Sequence, residues 1–339
     1  MKMHNKARAH RLTSGLHTSV KLAAGFTLIE LMVAITIGLA LVAGLATVLA
    51  SSSSSSRTND RTSEIQSDGR YALNSIKQEL RQAGYRGYTW AEPNPVPPSS
   101  LGTITGECGD GTGLFISNIR QGIWGANDSN PFSANCIPDK VDAAGGDVLV
   151  MRLLDGTPVA TPVANTLYFR STYNAGEIFR GTTVPAKVTG NPLASFALQT
   201  YVYYVRAYTL SPTESPLVPA LYRVALQSDG SMSRELVASG IEQLQVQYGR
   251  LTTAPNTQFF DSFTAGNCPS CNLDLGAAIT STPTVWDEVD SVRIWILARS
   301  ATPEPGYVNT TSYVMGDNTY TVNDGFRRQL FTTVVQLRN

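Results

Sequence analysis

Residues 25–50 read GFTLIELMVAITIGLALVAGLATVLA. From Phe26 to Ala50 the run is apolar for 25 residues and holds one charge, Glu30. As a helix rising 1.5 Å per residue it would span about 37 Å, against roughly 30 Å of bilayer hydrocarbon. A carboxylate near the start of such a segment costs about 2.5–3.5 kcal/mol on insertion scales and calls for a partner. Cutting the chain after Gly25 would create one, the α-amine of Phe26. Residues 1–25 carry Lys2, Lys6, Arg8, Arg11 and Lys21 and no acid. That bias holds the N-terminal side in the cytoplasm and sends the remainder across the membrane. A secretory signal peptide has a shorter apolar region and is cut after it, whereas here the only suitable boundary precedes the run. An ordinary signal anchor would account for everything except Gly25-Phe26 and Glu30.

Composition narrows the chemistry further. The 339 residues are 42% apolar and 15% charged, enough for one large or two small globular domains. Formal charge is zero overall, but beyond residue 25 there are 21 basic against 26 acidic residues, a charge of −5. An acidic body argues against strong non-specific binding to nucleic acid, which depends on neutralising phosphates. All three histidines, His4, His10 and His17, lie in the basic leader. A chain processed at Gly25 would contain none. That excludes a Ser-His-Asp triad, Cys-His chemistry and His-ligated zinc. No glycine-rich phosphate loop follows a strand and opens a helix, and nothing selects a pair of catalytic carboxylates. A glycosidase needs only two carboxylates, so these absences alone leave a membrane-anchored hydrolase open as an alternative, while the expectation is a non-enzyme without cofactor or metal.

The stretch Gly25-Phe-Thr-Leu-Ile-Glu30-Leu resembles the prepilin peptidase motif of type IV pilins and type II secretion pseudopilins. The resemblance implies cleavage after Gly25, N-methylation of Phe26, and a role for Glu30 in pairing with the N-terminal amine of a neighbouring subunit. It also implies a segment that serves first as a membrane anchor and then as a filament core. Ala34, Gly38, Ala40, Ala43, Gly44 and Ala46 would permit close helix approach there, or be generic membrane-helix composition.

Six serines, Ser51 to Ser56, follow the apolar run. Serine competes for backbone hydrogen bonds, so this is a place where the helix could soften or melt, or a simple polar linker at the membrane surface. Over residues 57–83 the helical pattern resumes. Ile65, Gly69, Ala72, Ile76, Leu80 and Ala83 recur at spacings of 3 or 4 on one stripe. Arg61, Asp68, Lys77 and Arg81 fall off it, and Gly84 and Gly87 are stop signals. Residues 88–145, rich in Pro, Gly, Ser and Asn, show little periodicity. A loop this long in a compact domain is usually functional or contains unrecognised short elements; the pilin resemblance implies a variable, surface-exposed connection and the first place to look for subunit contacts.

From Gly146 the period becomes 2. Leu244, Val246 and Tyr248 alternate with Gln243, Gln245 and Gln247; Val292, Ile294 and Ile296 behave likewise, as do Phe331, Thr333, Val335 and Leu337. Further strand candidates are 147–154, 165–172, 197–208 and 220–226. This alternation predicts an antiparallel sheet with one covered face. The amphipathic helix is the element on offer to cover it, which gives an α+β domain.

The segment Gly69-Arg-Tyr-Ala-Leu-Asn-Ser-Ile-Lys-Gln-Glu-Leu-Arg-Gln-Ala-Gly-Tyr85 and the ending Phe331-Thr-Thr-Val-Val-Gln-Leu-Arg-Asn339 are similar to PilW-type minor pilins. The implied division is a leader at 1–25, a transmembrane and filament-core helix at 26–50, an amphipathic spine helix at 51–87, a variable connection at 88–145 and a β-sheet body at 146–339. The implied fold is the type IV pilin fold, a long spine helix packed on an antiparallel sheet. By the resemblance, the protein is a non-catalytic minor pilin that helps prime pilus assembly and sits at the pilus tip. Its partners would be other minor pilins, the major pilin, the prepilin peptidase and the inner-membrane assembly platform. Its body would be periplasmic, on a single inner-membrane pass. Alternatives are a type II secretion pseudopilin or a pilus-borne adhesin or DNA-uptake module.

Four cysteines, Cys108, Cys136, Cys268 and Cys271, would face an oxidising compartment and favour two disulfides. Three pairings are open, and spacing favours 108–136 with 268–271. Cys268-Pro-Ser-Cys271 lacks the helix start in a βαβ unit that a thioredoxin-like redox pair needs, and a structural clamp is the better reading. Tyr201, Tyr203 and Tyr204 read as sheet packing rather than a stacking platform. Asn127-Asp-Ser-Asn130 and the stretch from Asp317 to Asp324 are rich in oxygen ligands. Neither matches a calcium-binding loop, and solvated turns are the expectation.

Overall fold

The computed structural model describes residues 25–90, 101–109, 113–132, 136–140, 146–253, 256–262 and 285–337. Two compact units divide between Arg57 and Thr58. One helix, α1, runs Leu28–Leu80. The serine run is helical throughout, so the weak point that its composition marks does not interrupt the helix. Serine's propensity deficit is only tenths of a kcal/mol per residue, and propagating an existing helix is far cheaper than nucleating one.

In the first unit the apolar residues of α1 are exposed, as at Leu28, Ile35, Leu41 and Leu49. The helix is long and apolar enough to cross a membrane.

In the second unit α1 buries Ile65, Gly69, Ala72, Ile76 and Leu80, the same stripe that the spacing predicts. The helix stops at a turn containing Gly84, and Gly87 follows at φ +68°. A Cβ at Gly87 would lie 2.5 Å from Ser171 Oγ and 2.7 Å from the Phe196 ring. Glycine is therefore required there by both backbone and space.

A seven-stranded antiparallel sheet contains β1 (Ile123–Ala126), β2 (Val148–Val159), β3 (Leu167–Ser171), β4 (Gly176–Arg180), β5 (Ala194–Arg206), β6 (Ala220–Leu226) and β7 (Met232–Ser239). Its order is β1-β2-β5-β3-β4, and β5 also pairs with β6, which pairs with β7. The 13-residue β5 thus forks the sheet, with Ala194–Ala197 on β3 and Tyr201–Arg206 on β6. Arg180 closes the fork by donating to the carbonyls of Leu101, Thr103, Asn165 and Asp229.

A second antiparallel sheet has the order β13-β10-β8-β9, from β8 (Ile241–Thr253), β9 (Asn256–Phe260), β10 (Val289–Arg299) and β13 (Arg328–Gln336). A hairpin of β11 (Ser312–Met315) and β12 (Asn318–Thr321) completes the strands. The strand candidates read from the sequence correspond to β2, β3, β5, β6, β8, β10 and β13, whereas β1, β4, β7, β9, β11 and β12 are not marked there.

Two expectations change. Gln243 and Gln245 are each 1% exposed, as buried as Leu244 and Val246. Both faces of β8 are covered. Gln245 Nε2 donates to Asp128 Oδ1, and the Asp147 carboxylate accepts from Val246 N and Asp128 N. The described part of residues 88–145 is also not a simple exposed connection. Leu101, Ile104, Phe115, Ile116, Ile119, Ile123, Trp124 and Ile137 join the core, and the segment supplies β1 and a single turn of helix, α2 (Leu114–Ser117). Arg152 of β2, fully buried, holds this segment by donating from Nε to Phe115 O (2.6 Å) and from Nη1 to Gln121 O (2.8 Å). Burying a guanidinium is tolerable only when it is hydrogen-bonded in this way.

Candidate functional site

The N-terminal start of α1 is built by two side chains. Glu30 Oε2 accepts from the backbone N and the Oγ1 of Thr27, both at 2.9 Å, and Glu30 N donates to Thr27 Oγ1 at 3.3 Å. This is a reciprocal capping box, in which two otherwise orphaned backbone donors of the helix are satisfied. The carboxylate also lies in the first turn, where the helix dipole favours negative charge. Only one of its oxygens is used. Oε1 has no hydrogen-bond partner among the described residues. The sequence carried a signal for this arrangement, Thr-x-x-Glu, separate from the cleavage motif. Phe26, 88% exposed, and Gly25 precede the box outside the helix.

Within the second unit three polar joints fix α1 to the sheets. At Glu304, Thr58 Oγ1 donates at 3.0 Å, Arg61 lies at 3.9 Å, and Arg327 donates through Nε. The bond from Arg327 is the main reason that this carboxyl sits below its ordinary range. Midway, Ser239 donates to Asp68. Near the helix end, Glu79 accepts from Tyr203 (2.6 Å) and Arg223 (2.6 Å), and Arg223 reaches on to Glu235 (2.9 Å). Burial pushes the Glu79 carboxyl above its ordinary value, and the hydroxyl and guanidinium pull it part of the way back. Together with the apolar stripe these joints hold the helix at a fixed rotation about its axis. Periodicity predicts the stripe, whereas the partners on the strands come from tertiary contact alone.

Residues 21–46 match the family described as "Prokaryotic N-terminal methylation motif", and residues 202–339 match the family described as "Type IV Pilus-assembly protein W" (PilW). The chain thus carries a prokaryotic N-terminal methylation motif at the start of α1 and a PilW-type domain over its C-terminal residues 202–339. A type IV-like pilin from Thermus thermophilus is similar to it in structure, at 14% identity, with a TM-score of 0.33 over 83% of this chain and 95% of that one. A search of curated proteins returns no match.

Of the other residues singled out from the sequence, Cys108 and Cys136 are joined in a disulfide, with Cα atoms 5.0 Å apart. Cys268 and Cys271 lie outside the described residues. Tyr203 and Tyr204 are fully buried in β5 and donate to Glu79 and Asp139, while Tyr201 packs beneath the Arg223 guanidinium, 4.7 Å from its ring. They are sheet packing with anchored hydroxyls. The two Asp-rich fragments meet, for Asn127 Nδ2 donates to Asp317 Oδ2 at 2.8 Å. Among the described residues no three acidic, His or Cys side chains gather as a metal-binding group.

Proposed function

We propose that this chain is a minor pilin of the type IV pilus that acts without catalysis, joining other minor pilins to prime filament assembly at the tip. The prepilin peptidase cuts between Gly25 and Phe26 and the new terminus is N-methylated. The chain waits in the inner membrane with its body in the periplasm until the assembly platform extracts it. The observation that carries this reading is the Glu30 carboxylate, which caps an exposed apolar helix with one oxygen and leaves the other open. The amine of a neighbouring subunit fits that open oxygen. Pairing removes the cost of an isolated charge in an apolar bundle.

The test uses cells that carry the chain's own pilus system. Deleting the gene should abolish surface pili, and an epitope on the body should be found by immunogold at one filament end. Mass spectrometry should find methylated Phe26 as the first residue. Normal piliation in the deletion strain, or co-purification with secretion-system tip proteins instead of pilins, would refute the role.

A further inference from the structure

A cleft of about 460 Å³ opens where the chain leaves α1, walled by Tyr85, Arg86, Trp90, Arg120, Trp286 and Asp287 among others. Its size falls within the ~300–1,000 Å³ of typical small-ligand sites. Three features of its wall are unlike generic surface. Trp90 is 78% exposed and lies parallel to Tyr173, with an interplanar angle of 3° and ring centroids 5.5 Å apart. A large aromatic ring held out in solvent on a second ring forms a flat, prearranged ledge. Arg86 is half-buried and has no ion-pair or hydrogen-bond partner among the described residues. Arg120 and Asp287 stand 3.8 Å apart and offer a donor and an acceptor side by side.

We propose that this cleft binds an acidic saccharide, a chain of sugar rings bearing carboxylates. The apolar C–H face of a pyranose packs on the Trp90 ledge, which satisfies both ring and sugar without desolvating a hydroxyl. Vicinal hydroxyls take the donor and acceptor of the Arg120–Asp287 pair. The ligand carboxylate pairs with the Arg86 fork, whose geometry matches it in a bidentate way. The charged wall opposes a purely apolar ligand. The site uses none of the residues around Glu30 and does not depend on the assembly role.

The test is calorimetric titration of the full-length chain in detergent micelles with tetragalacturonate, with maltotetraose as the neutral counterpart. Tetragalacturonate should bind more tightly than maltotetraose. Trp90→Ala should weaken both by about tenfold, the scale of one aromatic contact. Arg86→Gln should weaken only the acidic ligand and bring it level with the neutral one. Both side chains are at the surface, and unchanged thermal unfolding would show that the variants fold. Absence of tetragalacturonate binding would overturn the proposal, as would binding indifferent to Trp90→Ala. Equal binding of polyglutamate or single-stranded DNA would overturn it too, since charge alone would then suffice. Loss of piliation in a Glu30 variant has no bearing on these outcomes.

Discussion

Glu30→Gln separates two jobs that Glu30→Ala confounds. In the structure the carboxylate makes a capping box with Thr27 through bonds of 2.9, 2.9 and 3.3 Å. Glutamine also serves at that position of a capping box, because its amide oxygen accepts the same backbone N–H, and it forgoes only the ~0.3–1 kcal/mol by which the helix dipole favours a charge. A purely local role therefore predicts that Glu30→Gln is nearly silent, while Glu30→Ala costs about 1 kcal/mol of helix capping. The docking role predicts otherwise. The substituted side chain would present a neutral amide to a charged amine, and breaking an ion pair away from water by removing one partner costs about 3–5 kcal/mol. At 1.4 kcal/mol per decade that is a loss of roughly 100-fold to 4,000-fold in the docking equilibrium. The assay compares variant and parent in sheared pili, normalised to processed protein in the membrane fraction. Glu30→Gln should be processed normally and be lost from pili as completely as Glu30→Ala. Incorporation of Glu30→Gln at the parental level, with Glu30→Ala excluded, would show that Glu30 acts by capping alone and would sink the docking argument.

The body supports three further tests. Cys108 and Cys136 close a loop at a sequence separation of 28, so Cys108→Ser/Cys136→Ser should cost about 3.5 kcal/mol in a urea titration on the loop-entropy relation; an unchanged midpoint would refute this. Burial pushes the Asp147 carboxyl from its ordinary 3.8 up to about 8, so the folded state holds that proton more tightly than the unfolded chain. Its contribution to stability is full below pH 3.8 and falls as pH rises toward 8, at up to ~1.4 kcal/mol per unit, then levels off. Asp147→Asn should remove that slope between about pH 5 and 8, and an unaltered slope would show the group ionised throughout. A Cβ at Gly69 would lie 2.2 Å from the Phe331 ring, so Gly69→Ala should destabilise by about 1–3 kcal/mol despite alanine's better helix propensity. Phe331→Leu should relieve most of that cost, and simple additivity of the two changes would exclude the clash as its cause.

How much could be read without the structure follows from how each part is held. A helix laid on a sheet by one stripe must repeat its small and apolar residues at 3 and 4, so Ile65 to Leu80 were legible as a face. Strands β8 and β10 alternate on one face for the same reason, but the second face of β8 could not be read. Gln243 and Gln245 look like solvent residues until Asp128 and Asp147, far upstream in the chain, are folded over their strand. Residues 101–137 defeated periodicity differently. Their described part donates apolar side chains from pieces too short to show a period, α2, β1 and the turns around them, and it is pinned by Arg152 and the disulfide rather than by a repeating element.

The same distinction governs the functional residues. Glu30 was legible because a charge in an apolar run is anomalous by itself. Its cap was equally local, since Thr27 stands three positions before it. The cleft was invisible, because Arg86, Arg120 and Asp287 become neighbours only in the fold. The division of labour on Glu30 is the point at which local and assembled structure meet. If a neighbouring amine needed the capping oxygen, docking would have to break two 2.9 Å bonds and unsatisfy the helix start. With Oε1 open, the amine can be added without that loss. The cap then fixes the carboxylate before the partner arrives, so less conformational freedom remains to be lost on docking. Thr27→Ala should accordingly slow incorporation without abolishing it, a partial phenotype between parent and Glu30→Gln. A Thr27→Ala variant as defective as Glu30→Gln would mean that threonine contacts the neighbour directly.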